Sequence, residues 1–342
     1  MRPSILKWSA LGGLLALASG GIFLYGRHLE YKAMHTMPSG LYVFKLTDPL
    51  PICDNWKRHM PTYRDPEVYR PYIAARKLWR SKIEWQLTRT EIHRILDDVT
   101  AAANKGDWGA RALLSHFYRY GLGPLPSNNV LEPNADKHVE LARQAVAAGQ
   151  PWGFYDLGVA HEYGYGGAAY DEEIAWAYYY RAAQLGSPEG QMALSQAYAK
   201  AERPMDEKYM LQCAYRQGHG PAAVQLGMIA EIENRYQDAI RIYQEGTKFG
   251  NSECASSLYL LFSRGHWTSA TEEQKQALLA LGVTKDEERT KRYLTIADAL
   301  EINPDLRLGR LDIALPLPPA KLPTWRGIQD AMDVEPSGAP AY

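Results

Sequence analysis

The sequence predicts an all-α protein, a right-handed α-solenoid of about five helix-turn-helix units. Three observations carry this. Gly106, Gly149, Gly186, Gly218 and Gly250 recur at spacings of 43, 37, 32 and 32 residues, a period that means stacked supersecondary units. Four residues after each glycine stands a small residue (Ala110, Gly153, Gly190, Ala222, Cys254), and eight after it a leucine (Leu114, Leu157, Leu194, Leu226, Leu258). Those positions share a helix face one turn apart. Counting backwards, a bulky pair such as Tyr178 and Tyr179 or Met210 and Leu211 is followed by Ala102, Ala145, Ala182, Ala214 or Gly246, four before the glycine. The glycine then stops one helix and lets the chain turn without a Cβ clash. Neither helix of such a pair buries its apolar face alone, and stacking completes the core.

Residues 1–26 form a membrane or signal segment. Trp8 to Tyr25 is an uncharged run of eighteen residues, preceded by Arg2 and Lys7 and followed by Arg27, just long enough to span a hydrocarbon core. Trp8, Leu14, Leu15, Leu17, Ile22, Phe23, Leu24 and Tyr25 are the expected anchor residues, with the two aromatics at the interfaces. A cleaved signal peptide competes, because Ala16-Leu17-Ala18 resembles a cleavage site. The apolar run continues past that site, which favours an uncleaved anchor. The expected location is the bacterial inner membrane with the repeats in the periplasm, or the soluble periplasm if the segment is cleaved.

Residues 27–88 form a proline-rich leading segment. Six prolines between Pro38 and Pro71 predict an extended chain without long helices, and a helix is expected from Ala74 to Gln86. A helix from Thr88 to Asn104 precedes Gly106, and the repeats occupy 89–262. Unit one carries a long insertion, Gly121 to Asp136. In 263–327 the sequence predicts an insert around Gly265 to Thr284, a capping helix starting at Thr284 or Asp286 and running to Glu301, and an extended strap, LPLPPAKLPTWRG. Residues 328–342 are a tail. The three cysteines, Cys53, Cys213 and Cys254, cannot all pair and show no CxxC or Cys/His ligand spacing. No disulfide framework is expected, and Cys254 reads as a packing residue.

The stretch AWAYYYRAAQLGSPEGQMALSQAY (Ala175 to Tyr198) resembles a Sel-one-like repeat, a relative of the tetratricopeptide repeat. FYDLGVAHEYGYGG (Phe154 to Gly167) looks like the first helix and loop of another. Units three and four lack that glycine-rich loop, and the fifth departs most. With the anchor, ICDNW (Ile52 to Trp56), NKGDWGARALL (Asn104 to Leu114) and the LPLPPAKLP strap, the whole resembles a family of bacterial envelope proteins. Its members are often immunity proteins that neutralise lipase effectors of type VI secretion, notably of the phospholipase D type. The resemblance implies a protein inhibitor.

Candidate chemistry is weak. The net charge is −1, without the basic stripe that nucleic-acid binding requires. HEYGY (His161 to Tyr165) lacks the second histidine of a zinc-protease motif, and GYGYGG follows a helix and has no phosphate-binding lysine. Ser115, Ser195 and Ser257 sit in repeat helices without a nucleophile elbow. No catalytic residue, metal ligand or cofactor is expected. The expected partner is a cognate toxin, held by the insertion (Leu125, Asn128, Asn129) and by the aromatic and polar end of units one and two: Tyr118, Tyr120, Tyr155, His161, Glu162, Tyr163 and Tyr165. Long loops in compact repeats are more often functional than idle, and interfaces favour tyrosine. Tyr118 and His161 occupy a repeat position that also suits the core. An envelope scaffold or adaptor is the alternative function. The sequence leaves the oligomeric state open.

Overall fold

A computed structural model describes residues 32, 35–267 and 270–333. The expected anchor residues, Trp8 to Tyr25, lie outside the described residues, as does most of the tail. Among the described residues there are fourteen α-helices and no strand, and no helix is long and apolar enough to cross a membrane. Helix α1 (Pro66–Trp79) comes first. Five hairpins follow: α2 (Arg89–Asn104) with α3 (Trp108–Tyr120), α4 (Ala135–Ala147) with α5 (Pro151–Tyr163), α6 (Glu172–Gln184) with α7 (Pro188–Lys200), α8 (Pro204–Tyr215) with α9 (Gly220–Ile232), and α10 (Tyr236–Lys248) with α11 (Ser252–Arg264). Helices α12 (Glu272–Ala280), α13 (Glu287–Ile302) and the short α14 (Leu311–Ala314) complete the fold.

The five glycines do what the repeat requires. Each has a φ between 71° and 94°, a region nearly closed to residues with a Cβ. In unit one, Gly106 N–H donates to the Ala103 carbonyl and Asp107 N–H to that of Ala102; the other four turns repeat the pair of bonds. That is a Schellman turn, which satisfies the last orphan carbonyls of the helix. After three of the glycines the next residue already caps the following helix: the Asp107, Ser187 and Asn251 side chains accept from Ala110, Gly190 and Cys254 N–H.

The two sets of small residues prove to be one contact. A Cβ on Gly153 would lie 2.5 Å from the Ala145 Cβ, one on Gly190 2.8 Å from the Ala182 Cβ, and one on Gly246 2.3 Å from the Cys254 Sγ. Backbones within each hairpin approach to the limit that Gly and Ala allow. The leucines eight past each glycine are at most 5 % exposed and form the successive core layers. Cys254 is fully buried in that packing, as expected.

The structure departs from the sequence reading at α1, at the insertion of unit one and at the cysteines, and it adds a helix within the expected 265–284 insert. Helix α1 begins at Pro66, capped by the Asp65 side chain, ends at Trp79 and accommodates Pro71 inside it; only a 3₁₀ turn, Glu84–Gln86, occupies the end of the expected 74–86 helix. Proline at the first helical position is well placed, since its missing N–H would have had no partner there. The insert at 265–284 contains α12. The insertion at 121–136 is folded: Leu122 and Leu131 pair as an isolated bridge, and Asn128 is buried with its amide donating to the Glu84 and Leu87 carbonyls. Most consequential, Cys53 and Cys213 form a disulfide across 160 residues of sequence, contrary to the cysteine reading. The capping helix runs from Glu287 with Asp286 as its cap, close to expectation.

The disulfide bolts the leading segment to the repeats. Before it, Phe44 stacks on Tyr180 (5.1 Å between centroids), and the Tyr180 hydroxyl donates to the Pro49 carbonyl. After it, the chain turns back towards unit one. Trp56 N–H donates to Gln217, the Gln150 amide donates to the His59 carbonyl, and Arg64 pairs with Asp107. At the other end, two nearly buried arginines of α13 hold the strap by its carbonyls: Arg289 those of Pro316 and Ala320, Arg292 those of Ala314 and Pro323. The flanks then meet. Arg76 of α1 makes a bidentate pair with Asp305 after α13, at 2.6 and 2.7 Å, closing the array around a central cavity.

Candidate binding surface

That cavity measures about 800 Å³. Its wall is built from the starts of α3, α5 and α7 and the turns before α9 and α11, together with the 3₁₀ turn at 56–59, α1 and the loop carrying Arg307. The repeat dictates this: every turn of the Schellman type delivers a helix N-terminus to the same side. Four indoles line it, Trp56, Trp79, Trp108 and Trp152. So do five cations, Lys57, Arg64, Arg76, Arg80 and Arg307, against one carboxylate, Glu189.

The charges are unevenly neutralised. Arg64 is spent on Asp107 (2.9 and 2.6 Å) and Arg76 on Asp305. Burial opposes the charge of Asp305, but hydrogen bonds from Arg76 and the fields of Arg76, Arg80 and Arg307 win and hold its carboxyl below the usual range. Arg80 stacks on Trp79 at 3.7 Å, and its Nε is buried without a hydrogen-bond partner. Burial and neighbouring cations push the imidazole of His116 down, and burial that of His219. Burial is the leading cause for both, and only at His116 do the cations Arg80, Arg119 and Arg76 add to it.

The residues expected from sequence to bind the partner do not line this cavity: they lie in the last turn of α3, in the insertion after it, in α5 and in the turn that follows α5. Tyr120 and Tyr163 are 60 % and 69 % exposed, and Leu125 41 %; these three are on the surface. Tyr118, Asn129, Tyr155, His161, Glu162 and Tyr165 are half-buried. Glu162 accepts from the Tyr179 hydroxyl at 2.5 Å, and His161 Nδ1 lies 2.9 Å from the Ala169 carbonyl with its ring stacked on Tyr178. Those two side chains are engaged in packing between units. Asn128 is 3 % exposed and presents nothing to a partner. Of the expected residues the structure exposes Tyr120, Leu125 and Tyr163 and buries Asn128. The tryptophans of the cavity are not among the residues that the sequence points to. The available signal was Trp108 and Trp152, each two or three residues past a repeat glycine and off the packing position.

Two other clusters bear on chemistry. Ser115 Oγ sits 2.8 Å from His138 Nδ1, the spacing of a nucleophile and base. Both are sealed from solvent, and burial pushes the imidazole down to about 4; the pair is a core hydrogen bond. Asp156 retains some surface, but the protein crowding it pushes its carboxyl up to about 7, helped by Glu189 and opposed by Arg119. A carboxyl whose folded value exceeds its unfolded one (about 3.9) costs stability once it ionises. The cost grows as pH rises through that interval and is complete above 7. Asp156→Asn should therefore raise stability by about 1–3 kcal/mol at pH 8 and leave it unchanged near pH 3. Thermal melts at the two pH values check this.

Comparisons with known proteins follow this architecture. A domain of unknown function (DUF6396) matches residues 262–340, the end of α11, the capping helices and the strap. No curated protein matches the chain significantly. Among solved structures, Pseudomonas aeruginosa 5086 (PA5086) superposes with a TM-score of 0.63 at 26 % identity, covering 80 % of this chain and 96 % of that one. Immunity protein Pa5087 from the same organism gives 0.60 at 27 % identity, and immunity protein PA5088 gives 0.59 at 26 %; each covers 78 % of this chain and 94 % of its own. The chain is similar to immunity proteins across most of its length and nearly all of theirs.

Proposed function

We propose that the protein is an immunity protein that binds and inhibits a type VI secretion lipase effector in the periplasm. The observation that carries the reading is its likeness to two immunity proteins over 78 % of this chain and 94 % of theirs. Inhibition is by docking: a solenoid closed around a tryptophan-lined cavity offers the buried aromatic anchors that tight interfaces use. The Cys53–Cys213 disulfide supports an oxidising compartment, since such bonds persist outside the cytoplasm. The apolar run at Trp8 to Tyr25 supports anchoring on the inner membrane, where confinement with a lipid-attacking toxin raises effective concentration.

The test is co-expression with the product of the neighbouring gene, exported to the periplasm. Rescue of growth and a one-to-one complex on size-exclusion chromatography are expected. Poisoned cells that the protein does not rescue would end the reading. Several unrelated partners, with no toxicity on deletion, would favour an envelope scaffold instead.

A further inference from the structure

We propose that the central cavity is the receptor for an acidic segment of the bound toxin, a few residues bearing carboxylates that seat against Lys57, Arg80 and Arg307. The inference deepens the immunity reading and rests on it. Its basis is the mismatch between what the cavity wall offers and what the chain itself supplies. With Arg64 and Arg76 committed to Asp107 and Asp305, Lys57, Arg80 and Arg307 face Glu189 as the one carboxylate among the described residues lining the wall; Arg307 Nη1 donates to neutral acceptors, the carbonyls of Phe249, Pro304 and Leu306, which leave its charge unbalanced. Polar atoms are left over as well. Arg80 Nε and Trp152 Nε1 are buried donors without a partner, and a buried donor left unmade costs about 1–3 kcal/mol. An incoming carboxylate supplies the counter-charge that the three cations lack, and reaching the two sealed donors takes only a side-chain adjustment at the wall.

Helix N-termini act in the same sense. Helices α5 and α9 start at the wall, with Pro151, Trp152 and His219 lining it, and neither carries a side-chain cap. Their first N–H groups and positive dipole ends favour negative charge. Burial lowers both Arg80 and Arg307, with Asp305 opposing it and Arg76 adding to it, so a further anion in the cavity would offset the cost of their burial.

A polypeptide segment fits better than a compact anion. The three cations come from separate segments, a 3₁₀ turn, the end of α1 and the loop after α13, and the wall draws on units one to five and both flanks. A phosphate site gathers its donors on one point. Here donors and indoles are distributed around about 800 Å³, on the inner surface that stacked repeats use for extended partners. Indole and guanidinium are also the groups that dominate protein–protein hot spots.

The experiment titrates the full chain with acetylated hexaglutamate, hexalysine and inorganic phosphate, reading intrinsic tryptophan fluorescence, and repeats this with Lys57→Glu and Arg80→Gln. Lys57 is exposed, so its variant folds even if the other does not. Saturable binding of hexaglutamate is expected, weakened tenfold or more in each folded variant and by salt, with no response to hexalysine. No saturation, equal affinity in wild type and Lys57→Glu, or phosphate saturating below the peptide overturns the proposal. The same variants are then assayed against the toxin. Unchanged affinity for the toxin overturns the inference and leaves the immunity reading intact. A wild-type chain that binds hexaglutamate through Lys57 and Arg80 but never holds the toxin overturns the immunity reading and keeps the acidic-segment site.

Discussion

Arg64→Ala is expected to destabilise the protein by about 3–5 kcal/mol, because it strands a buried carboxylate. The Arg64 and Asp107 side chains are only 8 % and 3 % exposed. Two parallel bonds join them, at 2.9 and 2.6 Å, the bidentate geometry in which arginine is strongest. The guanidinium also lies over the rings of Tyr69 (4.4 Å) and Tyr72 (5.1 Å). Asp107 has a second duty, accepting from Ala110 N–H to cap α3 at 2.8 Å. Even the neighbouring glycine belongs to the arrangement, since a Cβ on Gly109 would meet Arg64 Nη2 at 2.7 Å. The pair fastens the end of the leading segment to the first repeat. Replacing both partners, Arg64→Met with Asp107→Ser, removes the charges together and keeps a capping hydroxyl. Urea denaturation should show the double variant recovering much of the loss, a coupling that identifies the stranded charge as its cause. A single variant costing less than about 1 kcal/mol, the range of an exposed pair, would contradict the burial seen here.

How much of this could be read from the chain depended on whether the information was local. The repeat was legible because a left-handed residue at each turn admits little but glycine, and because Ala145 against Gly153 or Ala182 against Gly190 leaves no room for a larger side chain. Those constraints recur at fixed spacing and need no knowledge of the partner helix. The start of α1 was also locally encoded, in Asp65 followed by Pro66; the density of prolines outweighed it in the reading. The cavity was not local. Trp56, Trp79, Trp108 and Trp152 each belong to a different element, and only the closure of the array, through Arg76 and Asp305, brings them to one space. The richness in tyrosine was legible in composition. Which of those side chains reach solvent was not, since Tyr163 and Tyr165 differ only in which side of a turn they face. The disulfide was the least accessible, because two cysteines 160 residues apart carry no spacing signal.

Breaking that disulfide should have the second large effect. Cys53→Ser with Cys213→Ser, or mild reduction, is expected to cost about 2–4 kcal/mol, since a cross-link closing so long a loop removes much unfolded-state entropy. For a chain of this size that corresponds to a fall in Tm of roughly 3–6 °C. The bond joins the leading segment to α8 between two sets of attachments, Phe44 and Pro49 on Tyr180 before it and Trp56 and His59 on Gln217 and Gln150 after it. Those polar and aromatic contacts remain when the bond is cut, so the helices persist while the segment loosens. Lys57 and Trp56 stand three or four residues from Cys53 on the cavity wall, and their placement depends on the same bolt. Reduction should therefore weaken anything the cavity holds more than it weakens helicity by circular dichroism. Thiol labelling tests the premise directly. Cys254 is buried and free, so the folded oxidised protein should take up no label, the denatured unreduced protein one, and the denatured reduced protein three. Three labels without reductant, in protein exported to an oxidising compartment, would remove the bolt and with it this account of how the leading segment is held.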